Sequence, residues 1–279
     1  MKAYRDWRGL GARGIALAIL TAYAFLALVP LYWLFATSLI AQNAVLKFPP
    51  ALFPNPPTLE NYARLLKAGP IGRWLLNSSV VAATVTFFTV LFDSMAGYGF
   101  AKKRFPGRDQ IFWTIIAMMI IPGQVTLVPI FIVMSRLGLL NTLYAVVLPA
   151  LADVFGVFLM RQFILTIPSE LEDAARIDGA GAFTIYSRII VPLAAPALAV
   201  LAIFTFMGNW NNFLWPLIVL NDTNKLTLPV GLATLQQENT VDYGLQMAGA
   251  ALAAVPMIAL FLSLQRYFIK GLTLGGVKG

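Results

Sequence analysis

The chain has 279 residues, 59% of them hydrophobic and 11% charged, with 20 Lys and Arg against 12 Asp and Glu. A soluble domain carries roughly 25% charge, so this composition excludes an ordinary water-soluble protein and points to one embedded in lipid. Cys and His are absent, which excludes disulfides and thiolate metal sites and leaves a thin toolkit for an enzyme.

Residues 1–13 hold Lys2, Arg5, Arg8 and Arg13, and an apolar run over 14–39 follows. The run is longer than a signal-peptide core, long enough to span a bilayer with tilt, and ends without a small-x-small cleavage pattern. It reads as a retained first span. Residues 40–72 contain Pro49, Pro50, Pro54, Pro56, Pro57 and Pro70, an external segment with room for one short helix over 59–66. A second span covers 73–100, with Asn77, Ser78 and Ser79 near its start and Asp93 inside. The loop A-K-K-R-F-P-G-R-D fills 101–109. A third span over 110–134 is broken by Pro122-Gly123 and Pro129. The fourth, 143–165, contains Pro149 and Asp153. A fifth runs over 193–220, a polar loop over 221–243, and a sixth over 244–268 with Pro256 inside. The tail, 269–279, is short and basic. Trp33, Trp74, Trp113, Trp210 and Trp215 fall toward span ends, as aromatic belts do. The expected fold is an all-α, multi-pass membrane protein with six transmembrane helices, its core over 73–268.

Six spans place both termini on one side. The flanks on that side carry 14 of the 20 Lys and Arg, the opposite flanks six. The positive-inside rule then makes both termini cytoplasmic, together with the segment 168–192. The same asymmetry accounts for the net charge of +8 without nucleic acid.

That segment, P-S-E-L-E-D-A-A-R-I-D-G-A-G-A-F-T-I-Y-S-R-I-I-V-P, is a charged island between two spans and holds Glu170, Glu172, Asp173 and Asp178. Ser169 followed by Glu172 has the spacing of a capping box, so a helix is expected to start there. Acids in its first turn favour the helix dipole, and Gly179 is placed to stop it in the left-handed conformation. A second helix can run from Phe183 to about Ile190, before Pro192. Leu171, Ala174, Ala175 and Asp178 share one face of the first helix by spacing.

The pattern D-A-A-(x3)-G-(x9)-I-x-V-P, from Asp173 to Pro192, resembles the EAA loop of ABC-transporter permease subunits. Asp173 stands where Glu is usual and Val191 where Leu is usual. The surrounding E-D-A-A-R-I-D-G-A is similar to the sugar-importer, MalG-like branch. The resemblance implies a type I ABC-importer permease fold in a prokaryotic cell (inner) membrane. It also implies that Glu172, Asp173, Ala174, Ala175, Asp178, Gly179, Ile189 and Pro192 couple the chain to an ATPase dimer. A second homologous permease, completing a heterodimer, and an extracytoplasmic sugar-binding protein are the other implied partners. The chain has no G-x4-G-K-[ST] phosphate loop, so ATP and Mg would be bound by the partner ATPase subunits and no cofactor by this chain.

Gly208-Asn209-Trp210-Asn211-Asn212-Phe213-Leu214-Trp215-Pro216 resembles the W-N-x-F-x-x-P motif of the same branch. Amides in lipid belong on the bundle interior or toward water. Amide and indole together suit a sugar, with interhelix packing as the plainer role. Asp93 and Asp153 are the acids within spans, and each is a candidate for the substrate pathway. Gln236, Gln237 and Glu238, in an outward-facing loop, would by the resemblance meet the binding protein. The implied activity is import of a sugar, a di- or oligosaccharide. The alternatives are a polyol or glycerol phosphate in the same class, or a secondary carrier.

Overall fold

The computed structural model of the chain describes residues 7–41, 53–235 and 242–276. Every regular element among them is a helix. Four stretches are long and apolar enough to cross a membrane: Arg13–Ser38, Ile71–Lys102, Leu143–Leu165 and Tyr243–Ser263. Two bent pairs make six if each is one span: Arg108–Ile120 with Gly123–Arg136, bent by 103°, and Ala182–Leu193 with Ala195–Trp210, bent by 79°. The first pair falls on the expected third span, 110–134, whereas the second begins at Ala182 and ends at Trp210 where a fifth span over 193–220 was expected. The third turns at Ile121, whose ψ is 117°, because the residue before a proline is driven out of the helical region. The fifth turns at Ala194, whose ψ is 3°, and restarts with Pro196 in the first turn of the next helix, where a missing N–H is harmless.

The chain divides into two compact units. The first holds helix α1 (Trp7–Ser38), helix α2 (Glu60–Ala68) and the start of the last helix. Asn61 on α2 is fully buried and donates to the carbonyls of Ser38 (3.0 Å) and Ile40 (2.8 Å). Ser38 Oγ and Tyr62 OH lie 2.8 Å apart, and Arg64 pairs with Asp242. Asn61 of α2 therefore satisfies the open Ser38 carbonyl at the end of α1 and the Ile40 carbonyl just beyond it.

The second unit is organised around helix α3 (Ile71–Lys102), followed by α4 (Arg108–Ala117), α5 (Gly123–Arg136), α6 (Leu143–Val147) and α7 (Val154–Leu165). Then come α8 (Glu170–Ile177), α9 (Ala182–Leu193), α10 (Ala195–Trp210), α11 (Leu214–Val219) and α12 (Leu228–Thr234). Helix α13 (Tyr243–Gly276) begins in the first unit and continues in the second. The most extensive packing in the second unit is of α3 on α7 and on α10. Gly97 and Gly156 let α3 and α7 meet: a Cβ on Gly97 would lie 2.6 Å from Met160 Cβ, and one on Gly156 would lie 2.0 Å from Asp93 Oδ2. Tyr98, Met160, Ile164, Ile185, Tyr186, Ile190 and Leu201 form the core where α3, α7, α9 and α10 converge.

Three of the tryptophans, Trp74, Trp210 and Trp215, depart from the belt expectation. Trp74 is buried, where a Cβ on Gly231 would meet its ring, and donates to the Thr223 carbonyl at 2.6 Å. Trp215 is buried and donates to the Ala145 carbonyl at 2.9 Å. Trp210 is buried and stacks on Phe206 at 5.7 Å. Trp113 is exposed. A buried indole keeps its N–H satisfied by donating to a backbone carbonyl, as Trp74 and Trp215 do.

Candidate functional site

Helix α8 starts at Glu170 with Glu170, Glu172 and Asp173 in its first turn. The expected capping box does not form. Ser169 already has helical dihedrals and makes no side-chain cap. Its hydroxyl instead meets Lys102 Nζ at 3.2 Å, while its carbonyl accepts from the amides of Glu172 and Asp173. The end of the helix is as expected. Gly179 has φ +80°, its amide bonds to the Arg176 carbonyl (3.0 Å), and the Ala180 amide bonds to the Ala175 carbonyl (2.9 Å). These two bonds make a Schellman turn, which needs a left-handed residue.

The turn leads into α9, whose middle, Tyr186–Ile190, is a π-helical turn. Such a turn relaxes the ladder just before Pro192, which has no N–H to give. Ile185, Tyr186 and Ile190 enter the core, and Tyr186 OH lies 2.7 Å from Ser94 Oγ on α3. Ile189 is half-buried against the same core, and Pro192 is exposed.

The two faces of α8 differ sharply. Asp173, Ala174, Ile177 and Asp178 are exposed, Ile177 to 87%, the highest value for any large apolar side chain among the described residues. Leu171 is also exposed, and so is Phe183 just beyond the turn. Ala175 is on the other side, packed against the core, so it does not share the face with Leu171, Ala174 and Asp178. Glu172 is only 3% exposed. It points at Tyr98 OH (3.0 Å), Lys103 Nζ (3.2 Å) and Arg176 Nη2 (3.2 Å). Beside it opens a cavity of about 430 Å³ flanked by Lys102, Lys103, Arg104, Ser169, Asp173 and Arg176.

Sequence reasoning missed Ile177 and Phe183 as exposed apolar contacts. The available signal was an isoleucine at i+3 from Ala174 on an otherwise polar face. It also missed Tyr98 and Lys103, for which no local signal exists.

The intramembrane candidates separate. The span Leu143–Leu165 is interrupted at its middle: a 3₁₀ turn over Leu148–Ala150 and a non-helical stretch over 151–153 precede α7. Thr89 Oγ1 donates to the Ala150 carbonyl (3.1 Å), and the Asp153 amide donates to both oxygens of Asp93 (3.2 and 3.3 Å). Asp93 is fully buried; it steadies the start of α7 from the neighbouring helix. Asp153 is exposed, and its carboxylate caps the Phe155 amide. Asn211 is exposed and Asn209 and Asn212 are half-buried. The amides of Asn209 and Asn211 donate to the carbonyls of Thr205 and Met207 one turn back. Trp210 is closed off by burial. Gln236, Gln237 and Glu238 lie outside the described residues, as does the end of the basic tail. No group of three or more His, Cys, Asp or Glu among the described residues is placed to hold a metal.

The family model described as binding-protein-dependent transport system inner membrane component matches residues 93–273. The arabinooligosaccharides transport system permease protein AraQ of Halalkalibacterium halodurans is 40% identical over 263 residues, covering 92% of this chain and 93% of that protein. The lactose transport system permease protein LacG of Rhizobium radiobacter is 36% identical, with 94% of each covered. The sn-glycerol-3-phosphate transport system permease protein UgpE of Yersinia pestis is 33% identical over 88% of this chain and 91% of that one. Among solved structures, a bacterial ABC transporter involved in the import of the acidic polysaccharide alginate aligns at a TM-score of 0.82 and 24% identity, over 96% of this chain and 99% of that chain.

Proposed function

The chain belongs to the binding-protein-dependent transport system inner membrane components, and from that membership we propose that it is one permease half of an ATP-driven importer for a di- or oligosaccharide. It is a transport component of the membrane rather than an enzyme. In this reading a second permease pairs with it, an extracytoplasmic binding protein delivers the sugar, and two ATPase subunits hold ATP and Mg. Both termini and α8 face the cytoplasm, in keeping with the distribution of Lys and Arg.

The observation that carries the proposal is the exposed face of α8. Asp173, Ala174, Ile177 and Asp178 present a small apolar centre with an acid on either side, a combination that suits a partner cleft with basic edges. Closure of the ATPase pair pushes on this face, the two permeases open outward, sugar enters, and hydrolysis resets them. In the membrane, Asp153 and Asn211 are the polar side chains open to a path, because an interrupted helix inside a span is tolerated where it borders a cavity. Asp93 acts from behind by fixing the interruption. Gln236, Gln237 and Glu238 would meet the binding protein.

The test is reconstitution of the complex in liposomes with its binding protein, followed by a survey of sugars for stimulation of ATP hydrolysis. Oligosaccharides of pentoses or hexoses are expected to stimulate. A relative named for sn-glycerol 3-phosphate favours a second reading, a phosphorylated polyol. Stimulation by glycerol 3-phosphate and not by any sugar would select it.

A further inference from the structure

Helix α8 carries its exposed face outward, so whatever ties its inner face to the spans decides what a push on it moves. The inner face offers only two side chains, Ala175 and Glu172. An alanine makes a small contact. Glu172 is different: its Oε2 is shared by three donors, one near the end of α3 (Tyr98) and one at the residue that follows it (Lys103). Tyr98 OH lies at 3.0 Å and Lys103 Nζ at 3.2 Å, while Arg176 Nη2 closes the cluster from α8 itself at 3.2 Å. Lys103 Nζ also sits 4.4 Å above the Tyr98 ring, so the cation and the ring are held together. Oε1 of Glu172 is buried with no hydrogen-bond partner, so all of the polar contacts of this carboxylate are made through one oxygen. A carboxylate that is 3% exposed has little water to fall back on if these donors leave.

We propose that Glu172 is a positioning residue that locks α8 to the end of α3, so that the docking helix and the span Ile71–Lys102 move as one body in the transport cycle. The proposal rests on the docking role of α8 and deepens it. The span so gripped is the one that packs most extensively on α7 and α10, so displacement of α8 reaches the interruption at 151–153 through rigid packing. Arg176 alone would not do this, since it belongs to α8. Tyr98 and Lys103 make the link to a side chain of α8 itself, whereas Lys102 reaches only the Ile167 carbonyl and Ser169 Oγ, just before α8 begins.

The experiment uses the whole importer in liposomes with its binding protein. Glu172→Gln and Lys103→Met are expected to leave the ATPase subunits co-purifying in the native ratio. Sugar taken up per ATP hydrolysed is expected to fall about tenfold in each. Because this chain has no Cys, a Lys103→Cys/Glu172→Cys double variant can be bridged by a short bis-methanethiosulfonate reagent through the open cavity. Coupling is expected to be poor in the free thiol form, restored by the bridge and lost again on reduction. A purely structural role for Glu172 would not give that reversible rescue. Native uptake per ATP in both single variants, or a bridge that blocks transport, would overturn the lock. Docking is tested separately by Ile177→Asp: if that variant keeps native assembly and uptake, the docking reading itself falls, whereas failure of the lock alone leaves it defective.

Discussion

Gly179 holds φ +80° with open space where a Cβ would project, so a side chain there is opposed by the backbone alone. For a β-branched residue the left-handed conformation costs roughly 1–2 kcal/mol. Gly179→Val is therefore expected to unmake the turn between α8 and α9 and abolish uptake, while membrane insertion and yield stay native. Gly156 is the opposite case, a matter of room. A Cβ there would sit 2.0 Å from Asp93 Oδ2, and a fully buried Asp93 has nowhere to withdraw. Gly156→Ala is expected to cost about 1–3 kcal/mol by overpacking, read as a lower melting temperature of the purified chain. Asp242 makes a prediction in pH. Partial burial raises its pKa, but the bond from Arg64 and the amides of Leu245 and Gly244 outweigh this and hold the carboxyl below its ordinary 3.8. A depressed carboxylate stabilises the fold above the ordinary value, and that contribution is lost as pH falls through the depressed one. The gap in melting temperature between the native chain and Asp242→Asn is thus expected to be present at neutral pH and to close below about pH 4.

At the scale of the element, α8 is a short helix whose surface is divided between two tasks. Its outward side, centred on Ile177, is uncovered among the described residues, and burying an isoleucine there stabilises by on the order of 1.5–3 kcal/mol. Ile177→Asp is expected to weaken association of the ATPase subunits by at least about tenfold, measured by co-purification over a range of dilution. Much of this element was legible in the chain: the acidic first turn and the glycine stop are local features, and local features act wherever the helix ends up. The capping box was not, although its spacing was right. Glu172 had a choice between the amide before α8 and the donors on α3, and the donors on α3 include a cation. A charge-assisted bond outcompetes a neutral one, so the side chain turned inward. Ala175 followed it, since both lie on the same side of one turn.

For the whole molecule the proposed role predicts an energy source. Uptake is expected to stop when ATP is depleted and to survive an ionophore, with a second permease and an ATPase pair in the purified assembly; uptake that behaves the other way would mark a secondary carrier. The chain by itself determined that it is rich in apolar runs long enough to cross a bilayer, all-helical, and charged in one loop that resembles a permease motif. The bilayer demands contiguous apolar runs of set length, and a run is visible without any partner. Only the tertiary structure decided which polar side chains turn inward and how sharply the chain bends at its prolines. Glu172 meets Tyr98 across 74 positions, the Asp153 amide meets Asp93 across 60, and Trp74 meets the Thr223 carbonyl across 149. Pairings at such separations leave no periodicity in a sequence, because they are set by how helices cross, and the crossing is set by packing around α3.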